Sequence, residues 1–99
     1  MYRLKFLPAA KSDRVAIRKY LAQFYDNTVH NFFTLLKTRL SQLKQFPFSC
    51  PLYEDAHDYR MMTVGDYLVF YKVNEAEKIV EVHRIFHHSR NISQHLRDT

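Results

Sequence analysis

Residues 60–91 contain two strand-like runs separated by a short polar turn, and this pattern restricts the chain to folds that contain an antiparallel hairpin. The first run, residues 67–73, is rich in aromatic and β-branched side chains, and the second covers residues 79–86. The intervening residues 74–77 are polar and few enough to connect antiparallel strands. A further strand is predicted at residues 60–64, which gives three consecutive strands.

Two amphipathic helices are predicted before these strands. Apolar residues recur at helical spacing in two groups, Ala10, Ile17, Leu21, Phe24 and then Val29, Phe32, Phe33, Leu36, Leu40, Leu43. Pro8 suits the first turn of the first helix, and Asn27 or Thr28 is able to cap the second. Pro47 ends the second helix, because the residue before a proline disfavours helical geometry. The short link between the two helices predicts an antiparallel helical hairpin.

These elements predict one α+β domain over residues 1–99, in the order β-α-α-β-β-β, with the helical hairpin packed on a small, mainly antiparallel sheet. An opening strand is expected at residues 2–7, an irregular connection at 48–58 and a closing helical turn at 91–96. A sheet this small cannot hide both faces beneath one hairpin. We therefore expect part of the face that carries Leu68 and Phe70 to remain available for binding.

Charge and cysteine content limit the class of partner and the compartment. The formal net charge is +5 at pH 7, which attracts polyanions such as nucleic acid or an acidic protein. The single Cys50 cannot form an internal disulfide, and the N-terminus lacks the continuous hydrophobic segment of a signal peptide. No apolar run approaches membrane-spanning length. We therefore expect a cytoplasmic protein that does not contact membranes.

Several short motifs, in their order and spacing, resemble one protein superfamily. They are the opening strand into Pro8-Ala9-Ala10, the pair Phe46-Pro47, and residues 60–71 and 80–92. Together they resemble the RelE/ParE superfamily of bacterial toxins from type II toxin–antitoxin modules, associated with plasmid stabilization. The resemblance covers nearly the whole chain. It implies a toxin that is silenced by a cognate antitoxin in a hetero-oligomer, and a target that is either mRNA on the ribosome or DNA gyrase.

The motifs do not separate these two targets. Lysines and an arginine of the best-known RelE-like ribonucleases are replaced at Tyr59, Met61 and Leu68. The strand at 64–71 and the ending at 86–91 are similar to ParE-like members. A histidine-using ribonuclease branch, resembling YafQ, has an aspartate before its aromatic strand and a late Arg-x-x-x-His. Asp66 and the pair Arg84 and His88 match that spacing.

The end of the last predicted strand carries the groups that RNA cleavage requires. Cleavage through the 2′-hydroxyl needs a base, an acid and positive charge on the phosphate. Histidine transfers protons near neutral pH, and the forked guanidinium of arginine binds phosphate. The predicted catalytic residues are His88, His87 and Arg84, and the predicted substrate-binding residues are Arg60 and Arg90. The alternative is that these are surface residues, solvated or packed against the closing helical turn.

No cofactor or metal is implied by the sequence. The chain has one cysteine, no His-x-x-x-His pair on a helix and no glycine-rich phosphate loop. Our first hypothesis is a toxin that acts as a metal-independent endoribonuclease, cleaving mRNA on the ribosome. The alternatives are a gyrase inhibitor without hydrolytic activity and a non-toxic, basic nucleic-acid-binding module.

Overall fold

Two helices cover one face of a five-stranded sheet in the computed structural model, which describes residues 1–90 and 92–97. The elements are β1 Arg3–Phe6, α1 Pro8–Leu21, α2 Thr28–Gln45, β2 Leu52–Tyr53, β3 Ala56–Val64, β4 Tyr67–Asn74, β5 Ile79–His87 and α3 Ile92–Arg97. The strand order is β1-β5-β4-β3-β2. β1 runs parallel to β5 and the other pairs are antiparallel. The predicted α+β fold with its mainly antiparallel sheet is confirmed.

The core lies between the helical hairpin and the sheet. Leu36 and Leu40 of α2 are buried against side chains of the central strands, which include Val69 and Val80. Tyr71 is also fully buried there, and its hydroxyl donates a hydrogen bond to the carbonyl of Pro47 at 2.9 Å. Burial raises the pKa of Tyr71, so the phenol stays neutral and remains a donor. This contact fastens the end of α2 to the centre of the sheet.

The connection predicted to be irregular at residues 48–58 contains strand structure, so that prediction was wrong. β2 pairs with β3 through Leu52 and Arg60 and through Tyr53 and Ala56, and β3 already begins at Ala56. The ring of Tyr53 packs edge-on against Phe70 at 5.1 Å between centroids. β2 is only two residues long, and so short a strand has no periodic pattern of side chains from which it could be predicted.

The first helix is shorter than its apolar pattern indicates. α1 ends at Leu21, and Phe24, which the pattern assigns to the buried stripe, is 52% exposed. Phe24 packs instead against the ring of Tyr20, with centroids 5.2 Å apart. Asn27 occupies the position before α2, as predicted, but its side chain makes no capping hydrogen bond to the described first turn. The tip of the helical hairpin therefore exposes aromatic side chains.

The second face of the sheet is covered more fully than we predicted. Phe70 and Phe86 are buried against Ile92 and Leu96 of α3. Phe70 is therefore not available for binding, because α3 and the β2 segment close over it, whereas Leu68 and Met61 on the same face are only partly buried. The predicted closing helical turn is present from Ile92 onward, and Asn91 lies outside the described residues. Within the described chain, no helix is both long and apolar enough to cross a membrane.

Candidate functional site

The candidate site lies beside the part of β5 that extends beyond its shorter neighbour β1. β5 has nine residues and its neighbour β1 has four, so β1 pairs only with residues Ile79 to Val82 of β5. The last contact is the Leu7 N–H, which donates to the Val82 carbonyl at 3.0 Å. Beyond this point the outer edge of β5 faces α1 instead of a strand. Exposed backbone donors on such an edge require other partners.

Asp13 of α1 supplies the missing partner and also binds Arg84. Its Oδ2 accepts hydrogen bonds from the Ile85 N–H at 2.9 Å and from Arg84 Nε at 2.8 Å. Its Oδ1 accepts a hydrogen bond from Arg84 Nη2 at 3.0 Å. The Arg84 guanidinium also lies 4.4 Å from the ring centre of Phe86. Both charged side chains are largely withdrawn from solvent, so the positive charge of Arg84 is neutralised where it stands.

The two histidines at the end of β5 stack on each other. The rings of His87 and His88 lie 4.4 Å apart at 29°. Nδ1 of His87 accepts a hydrogen bond from the Ser89 N–H at 3.2 Å and lies 2.7 Å from the Ser89 hydroxyl. In its neutral form His87 therefore carries its proton on Nε2. His88 is exposed, and its backbone N–H donates to the Asp66 carbonyl at 3.0 Å. His88 is thus the freer of the two imidazoles.

Arg90 lies beside a cavity of about 350 Å³ between α1 and the end of β5. Ile17 and Ile85 form part of its apolar wall, and Tyr20, Tyr67 and Arg90 also line it. Burial, followed by the nearby Tyr20 and an acidic neighbour, raises the pKa of Tyr67, although Arg90 opposes the shift. The Tyr67 hydroxyl therefore stays neutral at physiological pH. The structure thus brings Arg90 and His87 to one cavity, with His88 stacked beside them.

Arg60 lies apart from this group. It is opposite Tyr71 in the sheet, whereas His87 is opposite Tyr67, which lies four positions earlier in β4. This separation corresponds to about 13 Å along the strands. Arg60 Nη1 donates a hydrogen bond to the Cys50 carbonyl at 2.7 Å. Of the five predicted site residues, Arg60 therefore has a partner on the connection between α2 and β3 and is not brought to the histidines.

Asp13 is the site residue that sequence reasoning missed. It lies 71 positions before Arg84, so no local spacing connects the two. One signal was present: Asp13 is the only acidic residue in α1, which also contains Lys11, Arg14, Arg18 and Lys19. Because α1 follows the short strand β1, its single carboxylate lies where it can accept a hydrogen bond from the unpaired edge of β5.

A further histidine, His83, lies at a β-bulge in β5. The register between β4 and β5 shifts at His83, which has no opposite residue. Its ring packs edge-on against Tyr59 at 5.3 Å, and its buried Nε2 lies 3.8 Å from a Glu81 carboxylate oxygen, without a hydrogen-bond partner among the described residues. Burial, reinforced by the nearby Lys72, lowers the pKa of His83, and Glu81 opposes this only in part. The folded protein therefore favours a neutral His83.

The His83 environment predicts a loss of stability on acidification. The unfolded chain binds a proton at His83 near its ordinary pKa of 6.5, whereas the folded chain binds it only at lower pH. The free energy of unfolding should therefore fall as pH drops below about 6.5 and level off below the folded pKa. Urea unfolding of the parent and of His83→Gln between about pH 7.5 and 5 measures this, with the exposed His57→Gln as the control. Parallel pH profiles for parent and His83→Gln would contradict the prediction.

The sequence of residues 4–92 matches a protein family described as the ParE toxin of type II toxin–antitoxin system, parDE. The chain belongs to this ParE toxin family. The resemblance to the RelE/ParE superfamily that the motifs carry is thereby confirmed, and the protein is a toxin of a type II toxin–antitoxin system. A search of curated proteins finds no match.

Solved structures of related toxins share the fold of this ParE-family toxin. The chromosomal ParDE system from P. aeruginosa is 18% identical and gives a TM-score of 0.72, over 88% of this chain and 96% of that chain. A metal-bound toxin from Helicobacter pylori is 20% identical, with a TM-score of 0.66 over 90% of this chain and 97% of that chain. The isolated E. coli RelE toxin is 16% identical, with a TM-score of 0.59 over 99% and 98%. These TM-scores and coverages show a common fold.

Proposed function

We propose that this ParE-family toxin stops growth by binding DNA gyrase without hydrolysing RNA, and that a cognate antitoxin holds it inactive. One observation supports the choice of gyrase: Arg84 is paired with Asp13 and Arg60 lies apart, so Arg90 is the one predicted phosphate-binding residue left beside the histidines. The antitoxin follows from the family, since the similar P. aeruginosa structure is that of a ParDE toxin–antitoxin system.

Arg84 and Arg60 each have a partner within the protein, which makes both guanidinium groups less available to bind a phosphate. RNA cleavage requires a base, an acid and a cation around the same phosphodiester. The Arg84 guanidinium is held by both carboxylate oxygens of Asp13, and Arg60 is held at the Cys50 carbonyl. Recruiting Arg84 to a phosphate would leave Asp13 uncompensated in a largely buried position. Only Arg90 is left beside the histidine pair, which supports a binding role over a hydrolytic one.

The exposed aromatic side chains suit binding to a large protein. Tyr20 and Phe24 are each about half exposed and pack on one another, and Tyr25 beside them is 85% exposed. Tyrosine, phenylalanine and arginine are enriched in protein–protein interfaces. The tip of the helical hairpin therefore offers contact area of the kind that a non-hydrolytic inhibitor requires.

A supercoiling assay with purified gyrase, relaxed plasmid and ATP tests this proposal. The parent toxin should inhibit supercoiling, and His88→Gln should retain inhibition within about twofold, because binding does not need proton transfer. Undiminished supercoiling at toxin concentrations in excess of gyrase would overturn the proposal.

Ribosome-dependent mRNA cleavage is the second candidate, and the stacked histidines favour it. His87 has a defined tautomer and His88 is exposed beside it, so the pair can present both a donor and an acceptor. Arg90 is the cation available to them at the adjoining cavity. Under this candidate His88 is the acid or base and Arg84 positions the end of β5 through Asp13.

If the toxin is a ribonuclease, His88→Gln should lower cleavage of mRNA on purified ribosomes by on the order of a hundredfold, because a general acid or base is lost. His57→Gln is the matched control, since His57 is also exposed but lies at the start of β3. A His88→Gln variant that cleaves as fast as the parent would remove His88 from the mechanism. Intact transcripts with the parent would remove the candidate itself.

A further inference from the structure

The positive charge of this toxin is concentrated in the first half of the chain, which forms β1 and the helical hairpin. Residues 1–50 contain nine lysine or arginine residues and two acidic residues, whereas residues 51–99 contain six and eight. One of the two acidic residues in the first half, Asp13, is already paired with Arg84 of β5. The helix α2 contains neither aspartate nor glutamate. A polyanion is therefore the ligand that the helical side of the molecule attracts.

The cations of the hairpin border an open groove of about 460 Å³ between α1 and α2. Its lining includes three basic side chains and one acidic side chain, which are Arg18, His30, Lys37 and Asp26. Arg14 precedes Arg18 by one helical turn and lies on the same side of α1. Lys44 follows Lys37 by about two turns on the same side of α2. The groove thus has a row of cations on each helix.

Aromatic rings hold the two arginines of this groove in place. The Arg14 guanidinium lies 4.1 Å from the ring centre of Phe6, and the Arg18 guanidinium lies 4.3 Å from that of Phe33. Within residues 1–90 and 92–97, no carboxylate forms an ion pair with either arginine. A guanidinium that lies over a ring keeps its N–H donors for an anion. Both arginines are therefore positioned and available for a phosphate, in contrast to Arg84.

The two rows of cations suit a double-stranded nucleic acid. Packed helices lie about 8–10 Å apart, which is comparable to the widths of the B-DNA grooves, about 6 and 12 Å, that separate the two phosphate backbones. A single strand presents one backbone, and it gains affinity by stacking its bases on open aromatic rings. The rings of Phe6 and Phe33 carry guanidinium groups instead. Duplex DNA also has a charge for each ~1.7 Å of its length, which favours it as the polyanion.

We propose that the groove between α1 and α2 is a DNA-binding surface, in which Arg14 and Arg18 bind phosphates of one strand of a duplex and Lys37 and Lys44 bind phosphates of the other. These contacts are to the backbone, so binding is independent of base sequence. The inference goes beyond the proposed function, because it concerns the free toxin and does not depend on gyrase.

Charge reversal in the groove tests this proposal, with a labelled duplex of about 20 base pairs titrated with purified toxin and followed by fluorescence anisotropy. Arg18→Glu and Lys37→Glu should each raise the dissociation constant about fivefold or more and reduce the salt dependence of binding by about one phosphate contact. Arg3→Glu is the matched control, because Arg3 is exposed and alternates with Leu4 and Phe6, which pack on the core. It should change the dissociation constant by less than about twofold.

Arg18→Lys separates the charge from the packing of the side chain. It keeps the cation but loses the planar group over Phe33, so it should bind the duplex within about threefold of the parent. Equal losses in Arg18→Lys and Arg18→Glu would show that packing, and not a phosphate contact, is responsible. Equal losses in Arg3→Glu and Arg18→Glu would show that net charge alone drives binding. Either result would overturn the proposal.

Competition with other polyanions identifies the ligand class. Unlabelled duplex should displace the probe at lower concentration than a single strand of the same length or polyglutamate of the same total charge. A single strand that competes better than the duplex, or polyglutamate that competes equally well, would overturn the assignment to duplex DNA. A parent toxin that inhibits gyrase but does not bind the duplex would overturn this inference alone and leave the proposed function in place.

Discussion

Asp13→Ala should lower the free energy of unfolding by about 3 kcal/mol, because it leaves a largely buried guanidinium and a strand-edge N–H without their acceptor. Three hydrogen bonds converge on this carboxylate, two from Arg84 and one from the Ile85 N–H. The Arg84 side chain is 17% exposed, so solvent replaces little of what is lost. Urea unfolding followed by circular dichroism measures the change.

Two further variants isolate the cause of this loss. Asp13→Asn keeps an acceptor for the Ile85 N–H but removes the charge that Arg84 requires, so its cost should lie between those of the parent and Asp13→Ala. Asp26→Ala removes an exposed carboxylate between α1 and α2 and should cost less than about 0.5 kcal/mol. An Asp13→Ala variant as stable as Asp26→Ala would show that Asp13 does not cap the edge of β5.

Leu40→Ala should lower the free energy of unfolding by about 2–5 kcal/mol, since it removes a buried side chain and leaves a cavity between α2 and the sheet. Leu40 is 4% exposed and belongs to the cluster that includes Leu36 and Val69. Equilibrium unfolding in urea provides the measurement, and Leu36→Ala should behave in the same way.

Leu35→Ala is the matched control for the core. Leu35 lies in α2 beside Leu36 but is 42% exposed, so its truncation should cost well under the loss at Leu40. If Leu35→Ala and Leu40→Ala destabilised the domain equally, the face of α2 that packs on the sheet would be assigned wrongly.

The sequence allowed the helical hairpin and the three long strands to be predicted, because their signals are local. The spacing of Leu36, Leu40 and Leu43 already defines the buried face of α2, and Pro47 follows its last turn as predicted. Phe24 continued the periodicity of α1 beyond the helix, since periodicity alone does not locate a helix end. β2 gave no signal, because two residues are too few for a pattern.

The candidate site was harder to predict because it depends on which strands become neighbours. The two histidines were expected at the end of the last strand, and His87 is the last residue of β5 with His88 directly after it. The pairing of Arg84 with Asp13 depends on β1 lying parallel to β5, which brings α1 beside the edge of that strand and which no local pattern of residues predicts. The separation of Arg60 from His87 likewise follows from the register of β3, β4 and β5.

The most direct measurement of the proposed function follows plasmid topology and transcript integrity in one culture after the toxin is induced. The proposal of gyrase inhibition predicts that plasmid DNA loses negative supercoiling as growth stops, while mRNA on ribosomes remains full-length. If the product of an adjoining reading frame is the proposed antitoxin, its expression should restore supercoiling as growth resumes. Transcripts cut at the onset of arrest, with plasmid still fully supercoiled, would contradict gyrase inhibition and support a ribonuclease.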